Sequence, residues 1–255
     1  MPKSIDIVGD IAIIKFHGFH PFIYKKIYAW LFLKKHKEIK TVLEKTTDIK
    51  GRLRKFKTRF LAGINKKETI HKENYCQFYL NVDETYFSPR LAHERQVTAE
   101  EILKEIKPNA KILVMFAGVS PYAIVLAKFL KNKNIRAKIL SSELNRKACE
   151  YGKRNVLLNK VQDYVEVVQG DSRKIKTKEK FDVILMPRPN LKETFLDAAL
   201  KYGKKGTLIY YHGFGTEEKV LNEIKNKKLK LIYIRKAGDI APKKWRWMVK
   251  MKITG

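Results

Sequence analysis

The stretch KILVMFAGVSPY, residues 111–122, consists of an apolar run, a turn of small residues and the start of a new helix. Such an apolar run suits a strand that is covered on both faces of a sheet. Gly118 allows backbone N–H groups to approach a ligand, and the N-terminus of the following helix carries a partial positive charge. One glycine equally fits an ordinary tight turn, and the stretch is not the GxGxxG motif of nicotinamide-binding folds.

Strands and helices alternate through the rest of the chain from about residue 81. A capping box of Thr98 and Glu101 predicts the start of a helix over 98–106. This alternation predicts an α/β fold with a doubly wound, mainly parallel sheet, closed by an antiparallel pair of strands. The remaining predicted elements are helices at 121–130, 146–158, 191–202 and 217–226, and strands at 111–116, 137–141, 165–168, 181–186, 207–211, 230–236 and 245–253.

The first 80 residues follow a different pattern. Residues 5–14 predict two strands joined by a turn at Gly9, and a helix follows over 21–34. Strand-like segments return at 59–61, 68–73 and 75–82. Residues 21–70 hold 15 Lys and Arg against 4 acids. We therefore predict a small basic α+β domain over 1–80 and a larger α/β domain over 81–255.

The charge of the whole chain is strongly positive, with 55 Lys and Arg against 26 acids and a net charge of +29. A field of this size attracts polyanions, so we expect a nucleic-acid partner and contacts from Lys34 and Lys35. Lysine-rich surfaces are also common in the proteins of some organisms. In that case the lysines around residues 34 and 35 form only a solvated surface. Two separated cysteines, scattered histidines and the lack of a signal peptide or spanning segment predict a metal-free, soluble, cytoplasmic protein.

Two acids follow later strands at places suited to a nucleoside. Glu143 stands 25 residues after Gly118, where it can accept hydrogen bonds from ribose hydroxyls. Asp171 comes after the next strand, where it can accept from an adenine amino group. Glu143 could instead cap a helix, and Asp171 could be a turn residue. Their order and spacing together predict S-adenosylmethionine as the cofactor.

Several segments resemble the archaeal and eukaryotic tRNA (guanine-37-N1) methyltransferases over essentially the whole chain. They are FAGVSPY at 116–122, SELN at 142–145, GDSR at 170–173 and YFSPRLAHER at 86–95, with further likeness at 68–74 and 241–245. The resemblance implies a class I (Rossmann-like) methyltransferase that uses S-adenosylmethionine and acts on tRNA at position 37, next to the anticodon. We expect the enzyme to be a monomer.

Three features depart from the family pattern. The chain starts at the family's second domain, Val114 stands where an Asp is usual, and MPRP at 186–189 replaces an NLP or NPP motif. The last feature resembles the archaeal wyosine-pathway branch, whose members methylate N1 of guanosine and C7 of an imidazoguanosine. Pro187 has no amide with which to read a guanine edge, which favours a wider substrate range.

The resemblance also implies roles for individual residues. Glu94 matches the family's proposed base, although it could simply pair with Arg90 or Arg95. Arg54 is the candidate cation beside guanine O6, with Arg52 or Arg59 as alternatives and a solvated charge as the plain interpretation. The residues expected at the cofactor are Tyr86, Arg90, Phe116, Ala117, Gly118, Val119, Glu143, Leu144, Asp171, Ser172 and Met186, and those expected at the substrate are Pro187, Arg188, Arg52 and Arg54.

Two alternative functions stay open at this point. An aminocarboxypropyl transferase of the wybutosine pathway would use the same cofactor and a related fold. A basic RNA-binding protein that keeps the fold but has lost the cofactor would also explain the charge. Val114, which stands where the family usually has an Asp, is compatible with such a loss.

Overall fold

The computed structural model describes residues 2–47, 51, 53, 55–241 and 243–255. The chain forms two compact units, Met1–Ala92 and His93–Gly255. The boundary between the units therefore lies about twelve residues after the expected one near residue 80, because the segment 81–92 makes hydrogen bonds and ion pairs within the first unit. The Arg90 guanidinium lies 2.7 Å from a carboxylate oxygen of Asp6, and the Asn74 side chain donates to the Ala92 carbonyl at 2.8 Å.

The first unit contains a four-stranded sheet in the order β1-β2-β3-β4 and a separate hairpin, β5-β6. The turn at Gly9 confirms the predicted pair of strands, and its φ of +57° is one that glycine adopts readily. Strand β3 was not predicted, because its first four residues are all buried and show no alternation of apolar and polar side chains. The elements are β1 Pro2–Val8, β2 Ile11–Phe16, α1 Phe22–Lys35, β3 Thr41–Lys45, β4 Thr58–Gly63, β5 Glu68–Glu73 and β6 Cys76–Asn81.

The second unit is built on a seven-stranded sheet in the order β12-β13-β11-β10-β7-β8-β9. Strands β7 to β11 run parallel, while β13 is antiparallel to both β11 and β12, which confirms the predicted doubly wound sheet. The strands are β7 Ala110–Val114, β8 Ala137–Glu143, β9 Val165–Gln169, β10 Phe181–Met186, β11 Gly203–Gly215, β12 Leu229–Ala241 and β13 Lys244–Ile253.

The helices of the larger unit differ from the prediction at two starting points. Helix α2 begins at Ala92 and ends at Glu105, so the capping box of Thr98 and Glu101 is wrong. Thr98 is instead buried, and its hydroxyl bonds to a carboxylate one turn earlier. Helix α5 begins at Leu196, later than expected. The helices are α2 Ala92–Glu105, α3 Pro121–Asn132, α4 Arg146–Leu158, α5 Leu196–Tyr202 and α6 Glu217–Glu223.

The order of the strands indicates where a ligand can bind. Strand β7 lies between β8 and β10, so successive crossovers leave it in opposite directions. The carboxyl ends of β7, β8 and β10 therefore meet at the crevice where open α/β sheets bind ligands. Their last residues are Val114, Glu143 and Met186. Among the helices in the described ranges, none is long and apolar enough to cross a membrane.

Candidate functional site

The loop after β7 turns sharply by means of left-handed backbone. Phe116, Gly118 and Ser120 have φ values of 56°, 57° and 66°. The Ala117 N–H donates to the Ser142 carbonyl at 3.0 Å, which ties the loop to the end of β8. The side chains of Ala117 and Val119 are buried, so this part of the loop can present only backbone to a ligand.

Glu143 closes the same loop from the end of β8. Its carboxylate accepts the Gly118 N–H at 2.7 Å and the Asn145 N–H at 2.8 Å. Burial raises the pKa of Glu143, and these backbone hydrogen bonds oppose the increase. Glu143 is not the helix cap considered above, because the Asn145 side chain caps α4 by accepting the Lys147 N–H. The carboxylate therefore lies between the ends of β7 and β8, where a ribose was expected.

Asp171 lies in the turn after β9 and is held by Arg173. One carboxylate oxygen accepts the backbone N–H of Arg173 at 3.0 Å and its Nε at 2.9 Å, and the other accepts a terminal nitrogen at 2.6 Å. This is the geometry of a turn aspartate. Ser172 is buried and Leu144 is half-buried, so the adenine contacts expected of this region stay predictions.

Glu94 is buried at the start of α2, where 5% of its surface is exposed. One carboxylate oxygen accepts a terminal nitrogen of Arg235 at 2.6 Å. The other accepts the second terminal nitrogen at 3.0 Å and the Thr98 hydroxyl at 3.1 Å. The expected alternative was a salt bridge with Arg90 or Arg95. The partner is instead Arg235, which lies on β12 and which no local sequence pattern marks as a site residue.

His212 and Tyr122 complete the surroundings of this carboxylate. His212 Nε2 lies 3.9 Å from Oε1 of Glu94 and 3.4 Å from the Tyr122 hydroxyl. Burial lowers the pKa of His212 to about 4, although the neighbouring Glu94 opposes this. His212 is therefore neutral at neutral pH. Nothing local in the sequence marks it as a site residue, since it reaches this position through the register of β11.

Glu94 stays ionised although its side chain is buried. Burial alone would raise the pKa of Glu94, but hydrogen bonds and positive charge from His212 and Arg235 hold it below its usual range. Because His212 is neutral, we assign this effect to the Arg235 guanidinium, which stays charged at any ordinary pH. The result is an ionised carboxylate that is bonded to a permanent cation and lies beside a neutral imidazole.

The loop after β10 corrects one prediction. Pro187 is half-buried directly after the strand, while the Met186 side chain is fully buried and leaves only its backbone for a ligand. Arg188 was expected to contact RNA but is 2% exposed. Its guanidinium instead donates to a Glu223 carboxylate oxygen at 3.0 Å. It also donates to three carbonyls of its own loop, those of Pro189, Leu191 and Glu193.

The remaining predicted residues belong to the first unit. Lys34 and Lys35 are exposed at the end of α1. Tyr86 is half-buried and Arg90 pairs with Asp6, so their expected cofactor contacts stay predictions. Arg59, the alternative O6 partner, pairs with Glu44 at 2.6 Å. Arg52 and Arg54 lie outside the described residues. Among the residues that are described, no group of three or more His, Cys, Asp or Glu could hold a metal ion.

The buried neutral state of His212 predicts a pH-dependent stability. The unfolded chain takes up a proton near the ordinary value of 6.5, whereas the folded protein does so only near 4. The contribution of the neutral His212 to the free energy of unfolding is therefore fully present above about pH 6.5, and it is lost as the pH decreases toward 4. We expect His212 to account for about 2 kcal/mol of the loss between pH 7.5 and pH 5. Urea unfolding of wild type and of His212→Gln at both pH values measures this difference.

The exposed His17 provides the control, because His17→Gln should keep the wild-type dependence on pH. If His212→Gln loses as much stability as wild type over this range, the imidazole is not buried in its neutral form.

Two family models match the chain. One is described as the TRM5/TYW2 methyltransferase domain and matches residues 69–239, and the other is described as the TYW2 N-terminal domain and matches residues 1–67. The chain is 36% identical over 221 residues to tRNA (guanine(37)-N(1))-methyltransferase Trm5b of Pyrococcus abyssi, a match that covers 85% of this chain and 62% of the relative.

A second relative is tRNA (guanine(37)-N(1))/4-demethylwyosine(37)-methyltransferase Taw22 of Nanoarchaeum equitans. It is 44% identical over 158 residues, covering 62% of this chain and 49% of the relative. The chain thus spans about half to three fifths of the length of these curated relatives. The solved complex of aTrm5 with tRNALeu is similar in fold, with a TM-score of 0.86, 28% identity, and coverage of 99% of this chain and 72% of that one. Because the methyltransferase-domain match spans more than half of the sequence, the chain belongs to the TRM5/TYW2 methyltransferase family.

Proposed function

We propose that this protein is an S-adenosylmethionine-dependent tRNA methyltransferase that methylates N1 of guanosine at position 37. The observation that carries the proposal is the carboxylate of Glu143, which bonds to the Gly118 N–H at the crevice between β7 and β8. The family membership and the names of the relatives support the reaction and the tRNA substrate. The exposed Lys34 and Lys35 are our candidates for phosphate contacts, and Arg52 and Arg54 remain candidates by resemblance.

The residues at the crevice fit the chemistry of this cofactor. Its ribose diol needs an acceptor such as Glu143, and its amino-acid and adenine groups need backbone donors and acceptors. Gly170 leaves open space, since a Cβ at that position would meet nothing within 4 Å. We assign the cofactor to the loop 116–119, to Glu143 and Leu144, and to Asp171 and Ser172. When bound, the cofactor supplies an electrophilic methyl group.

The protein has to remove the proton of guanine N1 so that the nitrogen can accept a methyl group. Glu94 is our candidate base, because its carboxylate is ionised and lies near the carboxyl edge of the sheet. Met186 pairs with Tyr211 across β10 and β11, so Pro187 and His212 follow at the same level. The N1 proton would pass to Oε2 of Glu94, whose described hydrogen bond comes from Arg235 alone. A carboxylate oxygen can accept a second such bond.

Nucleoside analysis tests the proposed reaction. A tRNA transcript with guanosine at position 37 is incubated with the protein and methyl-labelled S-adenosylmethionine, and its digest is analysed by mass spectrometry. We expect 1-methylguanosine from this transcript and no labelled nucleoside from one with adenosine at position 37. An added aminocarboxypropyl group would instead identify the related transferase. No detectable cofactor binding would leave only the RNA-binding alternative.

Glu143 is expected to provide much of the cofactor affinity. Replacing its carboxylate removes charge-assisted hydrogen bonds, so Glu143→Gln should weaken cofactor binding by about 10- to 100-fold. Calorimetric titration of cofactor into wild type and variant measures the change. Glu150→Gln is the control, because Glu150 lies on the surface of α4 and pairs with Arg146 and Lys147. An unchanged affinity in Glu143→Gln would move the ribose contact elsewhere.

A second activity, methylation of C7 in an imidazoguanosine, is favoured by Pro187 and by the similarity to Taw22. The buried Arg188 bonds to three carbonyls of the following loop, which fixes the backbone next to Pro187. An apolar residue at this position discriminates less strongly between guanine and a modified base than a hydrogen-bonding residue would.

Pro187→Asn should therefore lower C7 methylation relative to N1 methylation. Parallel assays on tRNA that carries guanosine or imidazoguanosine at position 37 give this product ratio. Pro189→Ala is a control for disturbance of the loop. An unmoved ratio, or a wild type without any C7 product, would limit the protein to N1 methylation.

A further inference from the structure

Charged and titratable groups of α2, α3, β11, β12 and β13 surround Glu94 in the second unit. Arg235 binds both carboxylate oxygens from β12, and His212 faces one of them from β11. Tyr122 on α3 bonds to His212, and Arg95 on α2 lies 5.9 Å from the Tyr122 ring. Further groups in this neighbourhood are Glu101 on α2, Tyr233 on β12 and Arg246 on β13.

Arg235 is itself fixed from a second side. Its Nε donates to Glu101 at 3.3 Å, and the same carboxylate accepts the Tyr233 hydroxyl. Glu94 and Glu101 are separated by two helical turns, so one guanidinium bridges both acids along one face of α2. All three donor nitrogens of Arg235 are thereby engaged. A lysine could not reproduce this arrangement, because its ammonium is a single point of charge.

We infer that Arg235 is the positioning residue of the candidate base, and that its two terminal nitrogens fix the Glu94 carboxylate in the orientation that receives the proton of guanine N1. The inference rests on the proposed function. It assigns to the closing hairpin a role that the resemblance does not give it, since no residue of β12 was expected at the site.

The consequence of losing this contact follows from the surroundings of Glu94. Burial disfavours a charged carboxylate, and His212 is neutral, so Arg235 is the charge that offsets the burial. Without the guanidinium, the pKa of Glu94 should rise above its ordinary value. A larger fraction of the carboxyl groups would then hold a proton of their own, and that fraction could not take one from guanine.

Single-turnover methylation measured between pH 5 and pH 9 tests this role. In Arg235→Gln, the rate near pH 7 should fall about 100-fold, and the acid limb of the pH profile should move to higher pH. Arg235→Lys should keep the charge, lose the paired geometry and fall between wild type and Arg235→Gln. The double variant Arg235→Gln with Glu94→Gln should be no slower than Glu94→Gln alone, because Arg235 acts through Glu94.

Lys250 provides a matched control. It pairs with Glu105 on the same face of α2, is as buried as Glu94, and has no hydrogen bond to Glu94 among the described contacts. Lys250→Gln removes a comparable ion pair, so it should leave the acid limb at its wild-type pH. If Lys250→Gln shifts the profile as Arg235→Gln does, or if Arg235→Gln lowers the rate equally at every pH, Arg235 only supports the fold.

A direct titration separates this inference from the proposed reaction. The carboxyl carbons of glutamate are labelled with carbon-13, and the Glu94 signal is identified by its loss in Glu94→Gln. Its titration midpoint should be higher in Arg235→Gln than in wild type, whether or not the protein methylates RNA. An unmoved midpoint would overturn the inference. A raised midpoint in a protein that forms no 1-methylguanosine would overturn the reaction instead.

Discussion

The reversal of strand order at β7 is the constraint on which the site depends. Because β8 and β10 flank β7, the crossovers to either side leave a crevice at its carboxyl end. The left-handed loop at 116–120 runs along this crevice, and Glu143 closes it from β8. The fold thus places backbone donors and one carboxylate together before any substrate is considered.

The pKa values of two carboxylates in the second unit, Glu143 and Glu94, are shifted in opposite directions. Among the described contacts, the Glu143 carboxylate receives hydrogen bonds from backbone N–H groups alone, so burial dominates and its pKa rises. Glu94 receives a guanidinium on both oxygens, which outweighs a similar burial and lowers its pKa. Environments that separate the pKa values of two acids also separate their tasks. Glu143 is suited to accepting hydrogen bonds from uncharged hydroxyl groups such as those of a ribose, and Glu94, our candidate base, is suited to remaining charged.

The sequence predicted those features that depend on neighbouring residues. The alternating strands of the larger unit were predicted because each appears as a short apolar run in the local sequence. Gly118 and Glu143 were named as cofactor candidates because they stand at the ends of such runs, and their cofactor contacts stay predictions. Arg235 and His212 were missed because only the register of β11 to β13 brings them to α2. Arg188 was expected at the surface because a positive side chain in a basic chain indicates a contact with RNA. The structure shows instead that its guanidinium is buried and donates hydrogen bonds to carbonyls of its own loop.

The antiparallel hairpin of β12 and β13 does more than finish the sheet. Arg235 pairs with Met248, and Met248 pairs with His212, so one register line carries the guanidinium and the imidazole toward the carboxyl edge. Strand β12 is antiparallel to β13, which is itself antiparallel to β11, so β12 runs in the same direction as β11. The chain reaches β12 through the helical crossover of α6, as strands in the same direction require, and β13 then returns between β11 and β12. The charge that keeps Glu94 ionised therefore depends on the register of β11, β13 and β12.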